Sequence, residues 1–139
     1  MKQTWILLTI LMTFLLVTAC SGSQQSLQSA GAVVGDQVAV AGGAYTNISV
    51  AELQRMLEDK DFVFVNTHIP FEGDIPGTDL SIPYDQMKEN LDELPAEKDA
   101  KIVLYCRSDR MSSIASETLV SLGYTNIWNL QGGMVAWEK

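Results

Sequence analysis

Cys106 opens the run Cys106-Arg107-Ser108-Asp109-Arg110-Met111-Ser112, the stretch of this chain best equipped for chemistry. A thiolate is a strong nucleophile, but an isolated cysteine titrates near ~8.5 and is only a few per cent ionised at neutral pH. Positive surroundings favour the anion. Arg107 and Arg110 bring full charges, and a helical pattern follows from Ser112 to Leu122. The start of a helix adds unpaired N–H groups and the positive end of the aligned peptide dipoles. The arrangement suits attack by sulfur from inside a small anion-binding loop. A buried, inert cysteine is the plainer alternative. His68, the only histidine, is a candidate general base for Cys106, or simply a loop residue that forms hydrogen bonds.

Such a loop has to be delivered by something rigid. Ile102-Val103-Leu104-Tyr105 leads into it, and Phe62-Val63-Phe64-Val65 is a second run of the same kind. Hydrophobicity that is continuous rather than alternating fits parallel strands covered on both faces. Strands alternating with helices imply a doubly wound α/β sheet, in which ligands bind beyond the carboxyl ends of the strands. Cys106 falls at such an end.

The remaining elements follow in order. Tyr45–Ile48 reads as a first strand. Ser49 and Glu52 form a capping box ahead of a helix striped by Val50, Leu53, Met56 and Leu57. Asp79–Ile82 reads as a short edge strand, and Pro83–Leu94 as a helix carrying Met87, Leu91 and Leu94. Gly123 suits a helix C-cap, Asn126–Leu130 a last strand, and Gly132-Gly133 a turn into a terminal helix ending at Trp137. The expected fold is one α/β domain over residues 45–139, with a doubly wound central parallel sheet of about five strands flanked by helices.

The N-terminus reads as an address. Lys2 precedes an almost wholly apolar run from Trp5 to Val17, and Val17-Thr18-Ala19-Cys20 then resembles a bacterial lipoprotein cleavage box. The apolar run is short of the ~20 residues a spanning helix needs. The resemblance implies a signal peptide over 1–19 and lipid on Cys20, with anchorage to a membrane on the extracytoplasmic side. Loss of Lys2 takes the formal charge from −8 to −9, eight basic residues against 17 acidic. Residues 20–44, rich in Ser, Gln, Gly and Ala, read as lipidated Cys20 and a flexible tether spanning about 27 Å. With Cys20 as a thioether, Cys106 is the one remaining thiol.

The balance of charge bounds the partners. An acidic chain with a pI near 4.4 argues against nucleic acid, which needs a basic surface. Two cysteines without ligand spacing argue against zinc. No metal or organic cofactor is expected.

From Cys106 onward the chain resembles the rhodanese family. A strand ends in Cys106-Arg107-Ser108, and Leu122-Gly123-Tyr124-x-Asn126-x-x-x-Leu130-x-Gly132-Gly133-Met134-x-Ala136-Trp137 follows. The resemblance extends back to about Ile48. It implies a sulfurtransferase in which Cys106 takes a sulfane sulfur from a donor such as thiosulfate, carries it as a persulfide and passes it to a thiol or other thiophilic acceptor. It further implies that Arg107, Ser108, Asp109, Arg110 and Met111 wrap the sulfur with backbone N–H groups, and that Ser112 bonds the terminal sulfur. A rhodanese-like fold can also serve as a binding module without turnover, and a single thiol as a redox sensor. Phosphatase chemistry in related domains needs an arginine six residues after the cysteine, where this chain has Ser112.

Four positions depart from the family pattern. Asn66 and His68 stand for an Asp-x-Arg pair and are expected to form a neutral hydrogen-bonded substitute; Asp74 stands for a His. Asp109 replaces a loop glycine. Aspartate tolerates the left-handed region better than most residues, but a carboxylate facing the sulfur opposes the thiolate. Reduced but retained reactivity is expected, with Arg110 as one partner that could draw the carboxylate away.

Overall fold

A computed structural model describes residues 34–139. The segment read as a signal peptide, Cys20 and the first part of the stretch read as a tether lie outside the described residues. Six strands form one sheet: β1 (Asp36–Val40), β2 (Gly43–Ile48), β3 (Val63–Asn66), β4 (Leu80–Ser81), β5 (Ile102–Tyr105) and β6 (Ile127–Leu130). Their spatial order is β1-β2-β6-β5-β3-β4. Every pairing is parallel except that of β1 with β2. Among the described residues the helices are α1 (Val50–Glu58), α2 (Arg110–Ser121) and α3 (Gly133–Trp137).

β5 is central, and its four residues show why it reads as a continuous apolar run. Ile102 and Leu104 face one core with Ala115, Leu119 and Val120 of α2. Val103 and Tyr105 face the other, with Leu53 and Met56 of α1 and Met134 of α3. All four are fully buried. Burial of a side chain of this size stabilises the fold by about 1.5–3 kcal/mol, so the strand that carries the reactive loop is among the best-held parts of the sheet.

Two expectations need correction. Part of the stretch read as tether is structured: β1 pairs with β2 across a two-residue connection, with Gly42 at φ 92°. Val38 and Val40 pack against the core, which repays the ordering of an otherwise polar segment. The sheet therefore gains a sixth strand, antiparallel at its edge. Pro83–Leu94 is not one helix but two 3-10 turns, Tyr84–Gln86 and Leu91–Glu93. Asn90 Nδ2 donates to the Gln86 carbonyl at 2.8 Å, taking the acceptor that the Asn90 N–H would need in a continuous helix.

The capping box forms by half. Ser49 Oγ accepts from the Glu52 N–H at 3.2 Å, a contact worth about 1 kcal/mol. The Glu52 carboxylate turns to Arg55 one turn on instead of back to Ser49.

Candidate active site

The chain leaves β5 at Tyr105, curls through Cys106–Asp109 and enters α2 at Arg110, two residues earlier than the sequence pattern suggests. Cys106 lies inside this curl and is only 2% exposed. Its Sγ accepts the Asp109 backbone N–H at 3.1 Å and faces the Ser112 hydroxyl at 3.4 Å. The Ser112 proton also has the Asp109 carbonyl within reach at 2.9 Å. A thiolate would compete for that proton more strongly than a thiol, since bonds to charged acceptors are the stronger ones. Of the residues expected to wrap the sulfur, Asp109 and Ser112 reach Sγ itself. Arg110, Met111 and Ser112 contribute first-turn N–H groups, which a helix leaves without intrahelical partners. Ser108 lies exposed in the bend between Cys106 and Asp109.

Asp109 adopts φ 111°, ψ −42°, a conformation suited to glycine and strained for a residue with a Cβ. Its carboxylate does not pair with Arg110. Oδ1 accepts from Asn129 Nδ2 on β6 at 2.7 Å. The same Nδ2 donates to Asn47 Oδ1 on β2 at 2.8 Å. Neither asparagine stood out in the sequence; the one signal was a lone amide in the apolar run of β6.

From the other side the loop is supported by the start of α3. The Met134 and Val135 N–H groups donate to the carbonyls of Cys106 and Arg107 at 2.9 and 3.0 Å. A Cβ on Gly133 would lie 2.1 Å from the Cys106 carbonyl oxygen. The second glycine of the Gly132-Gly133 pair is thus required by close approach as well as by the turn.

At the end of β3, Asn66 organises the loop that borders Arg107. Its Nδ2 donates to the Gly73 carbonyl and to Asp74 Oδ1, each at 2.9 Å, and its Oδ1 accepts the His68 backbone N–H at 2.9 Å. Asn66 and His68 are therefore hydrogen-bonded, but through the main chain of His68 and not its ring. The ring is buried with both nitrogens lacking hydrogen-bond partners; Nε2 lies 3.5 Å from Glu72 Oε2. Glu72, another residue the sequence did not single out, forms an ion pair with Arg107. His68 is not among the hydrogen-bond partners of Sγ, so the arrangement provides no direct contact for a general base there.

Asp74 binds behind this loop to Asn66, Ser81 and the Tyr105 hydroxyl. Burial pushes the Tyr105 hydroxyl up to about 12; the bonds from Thr78 and the Ile75 N–H pull it down, and the Asp74 carboxylate adds to the rise. The residue before Cys106 is thereby a neutral anchor for the loop beside it.

The profile of the family described as Rhodanese-like domain matches residues 49–139. A tRNA uridine(34) hydroxylase of Erwinia tasmaniensis is 33% identical over 103 residues, covering 70% of this chain but only 29% of the hydroxylase. A sulfurtransferase of Allochromatium vinosum is 35% identical over 89 residues, 62% of this chain and 80% of that protein. The crystal structure of a rhodanese-like domain protein from Staphylococcus aureus superposes with a TM-score of 0.57 at 30% identity, over 66% of this chain and 89% of that one. The family match runs from α1 to the terminal helix and includes the Cys106 loop, and by it the chain belongs to the rhodanese-like domain family.

Proposed function

We propose that the protein is a sulfurtransferase that carries sulfane sulfur on Cys106. The observation that carries this reading is the placement of Sγ. It lies at the carboxyl end of the central strand and at the N-terminus of α2, held by the Asp109 N–H and the Ser112 hydroxyl. The relation to a sulfurtransferase over most of that protein's length supports it.

In the proposed reaction the Cys106 thiolate attacks the outer sulfur of thiosulfate. A new S–S bond forms on Cys106 as the S–S bond of the donor breaks, and sulfite leaves with the bonding electron pair. An acceptor thiolate then attacks the terminal sulfur of the persulfide. It departs as a persulfide of the acceptor, and the Cys106 thiolate is restored. No net oxidant or reductant is consumed. First-turn N–H groups of α2 are suited to the charge on the terminal sulfur. The N-terminal sequence supports a location outside the cytoplasm, with the domain tethered to a membrane through lipid on Cys20.

A second reading has its own support. Glu72 neutralises Arg107, and Asp109 places a carboxylate within the loop, so the loop is less positive than its arginines suggest. An inactive anion- or partner-binding module fits that balance. Intact mass spectrometry of the full chain after thiosulfate, with Cys106→Ser as control, separates the two. The sulfurtransferase gains one sulfur that a reductant removes, on wild type only. A folded wild type whose thiol is accessible but never gains sulfur is the binding module.

A further inference from the structure

Asn129 is a polar residue in a place built for an apolar one. It lies on β6 between Trp128 and Leu130, opposite Leu104 of β5 and Asn47 of β2, and is completely buried. An amide buried without full hydrogen bonding is destabilising, and here Oδ1 has no partner. The orientation of the amide follows from its neighbour. The Asp109 carboxylate can only accept, so Asn129 must present its NH₂ to it. Both Nδ2 protons are then used, one on Asp109 Oδ1 and one on Asn47 Oδ1. The unpartnered oxygen is the cost of that orientation.

What Asn129 holds is the residue whose N–H touches the nucleophile. Asp109 keeps a strained backbone, φ 111°, and in that conformation its N–H points at Sγ while its carbonyl accepts from Ser112 Oγ and the Ser113 N–H. Without a fixed partner the carboxylate could rotate toward the sulfur, where two like charges repel, more strongly in a dry loop than in water. We infer that Asn129, braced by Asn47, is a positioning residue for Cys106: it ties the Asp109 carboxylate to the sheet, which keeps the Asp109 N–H on Sγ and the negative charge off it. This rests on Cys106 being the working nucleophile but concerns the thiol before any sulfur arrives.

The test uses the full chain as wild type, Asn129→Leu, Asp109→Gly and the double variant. Alkylation of Cys106 by iodoacetamide is followed across pH by peptide mass spectrometry, which separates it from Cys20, with thermal melts to confirm folding. Asn129→Leu is expected to move the pH profile upward and to slow alkylation at pH 7 about fivefold. In the Asp109→Gly background the same substitution is expected to change it less than twofold. An unmoved profile in Asn129→Leu, or an equal shift in both backgrounds, overturns the inference, since a purely structural role would not depend on the carboxylate. If Asn129→Leu does not fold, Asn47→Ala in the same two backgrounds decides. A shift confined to chains with Asp109 supports the inference; an equal shift or none overturns it. Alkylation requires no sulfur transfer, so the positioning role stands or falls even in a chain that never forms a persulfide.

Discussion

The loop has two flanks, and they handle charge differently. On one side Arg107 meets Glu72 at the surface, with the arginine side chain 54% exposed. On the other, Asp109 meets a fully buried amide. The first is an ion pair between mobile side chains in water, a kind worth roughly 0–1 kcal/mol. The second is a charged acceptor on a fixed donor inside the sheet, a kind worth about 1.5–3 kcal/mol. The surface flank is therefore an adjustable electrostatic setting, and the buried flank is a geometric one. The support under the loop belongs with the geometric side.

Three substitutions sharpen or break this contrast. The largest effect is expected from Gly133→Ala, which forces a methyl group onto the Cys106 carbonyl. Loss of about 4 kcal/mol in urea unfolding is predicted, at the upper end for single changes; a loss under about 1 kcal/mol, the centre of the range for point substitutions, would mean that the loop is not held from beneath. Next is Tyr105→Phe. The Tyr105 hydroxyl is raised from 10.0 to about 12 in the folded protein, so the folded state holds its proton more tightly than the unfolded state does. The excess stability of wild type over the variant is then fully present below pH 10 and lost as pH rises toward 12, by on the order of 2 kcal/mol. Unfolding curves for both proteins across that window check it. The smallest effect is expected from Glu72→Gln. It frees Arg107, and in the proposed reaction sulfite release from thiosulfate should gain about threefold in kcat/KM at low salt and less at high salt, with stability unchanged within about 0.5 kcal/mol. A large loss of stability there would place Glu72 on the geometric side.

Much of the frame was legible in the sequence because it rests on local pattern. The runs of β3 and β5, the stripe of α1 and the strand-loop-helix around Cys106 each declare themselves within a short stretch of chain. β1 was passed over because its signal is slight: two valines in alternation and one glycine at a turn. The failed helix after Pro83 had only three apolar positions, and the competing bond from Asn90 does not show in periodicity. The residues missed at the site share one property. Asn129 and Asn47 are 82 positions apart, and Glu72 and Arg107 are 35 apart; nothing local links them. Asp109 was legible as a departure from the family pattern. Its resting partner was not, because Asn129 acquires meaning only once β6 lies beside the loop.

The Met134 and Val135 N–H groups have a further consequence. Each is bonded to a carbonyl of the reactive loop, so its exchange with solvent hydrogen is linked to the loop lifting away. Two amides at the start of the terminal helix thus act as native reporters of loop opening, readable without any label or added group on the cysteine.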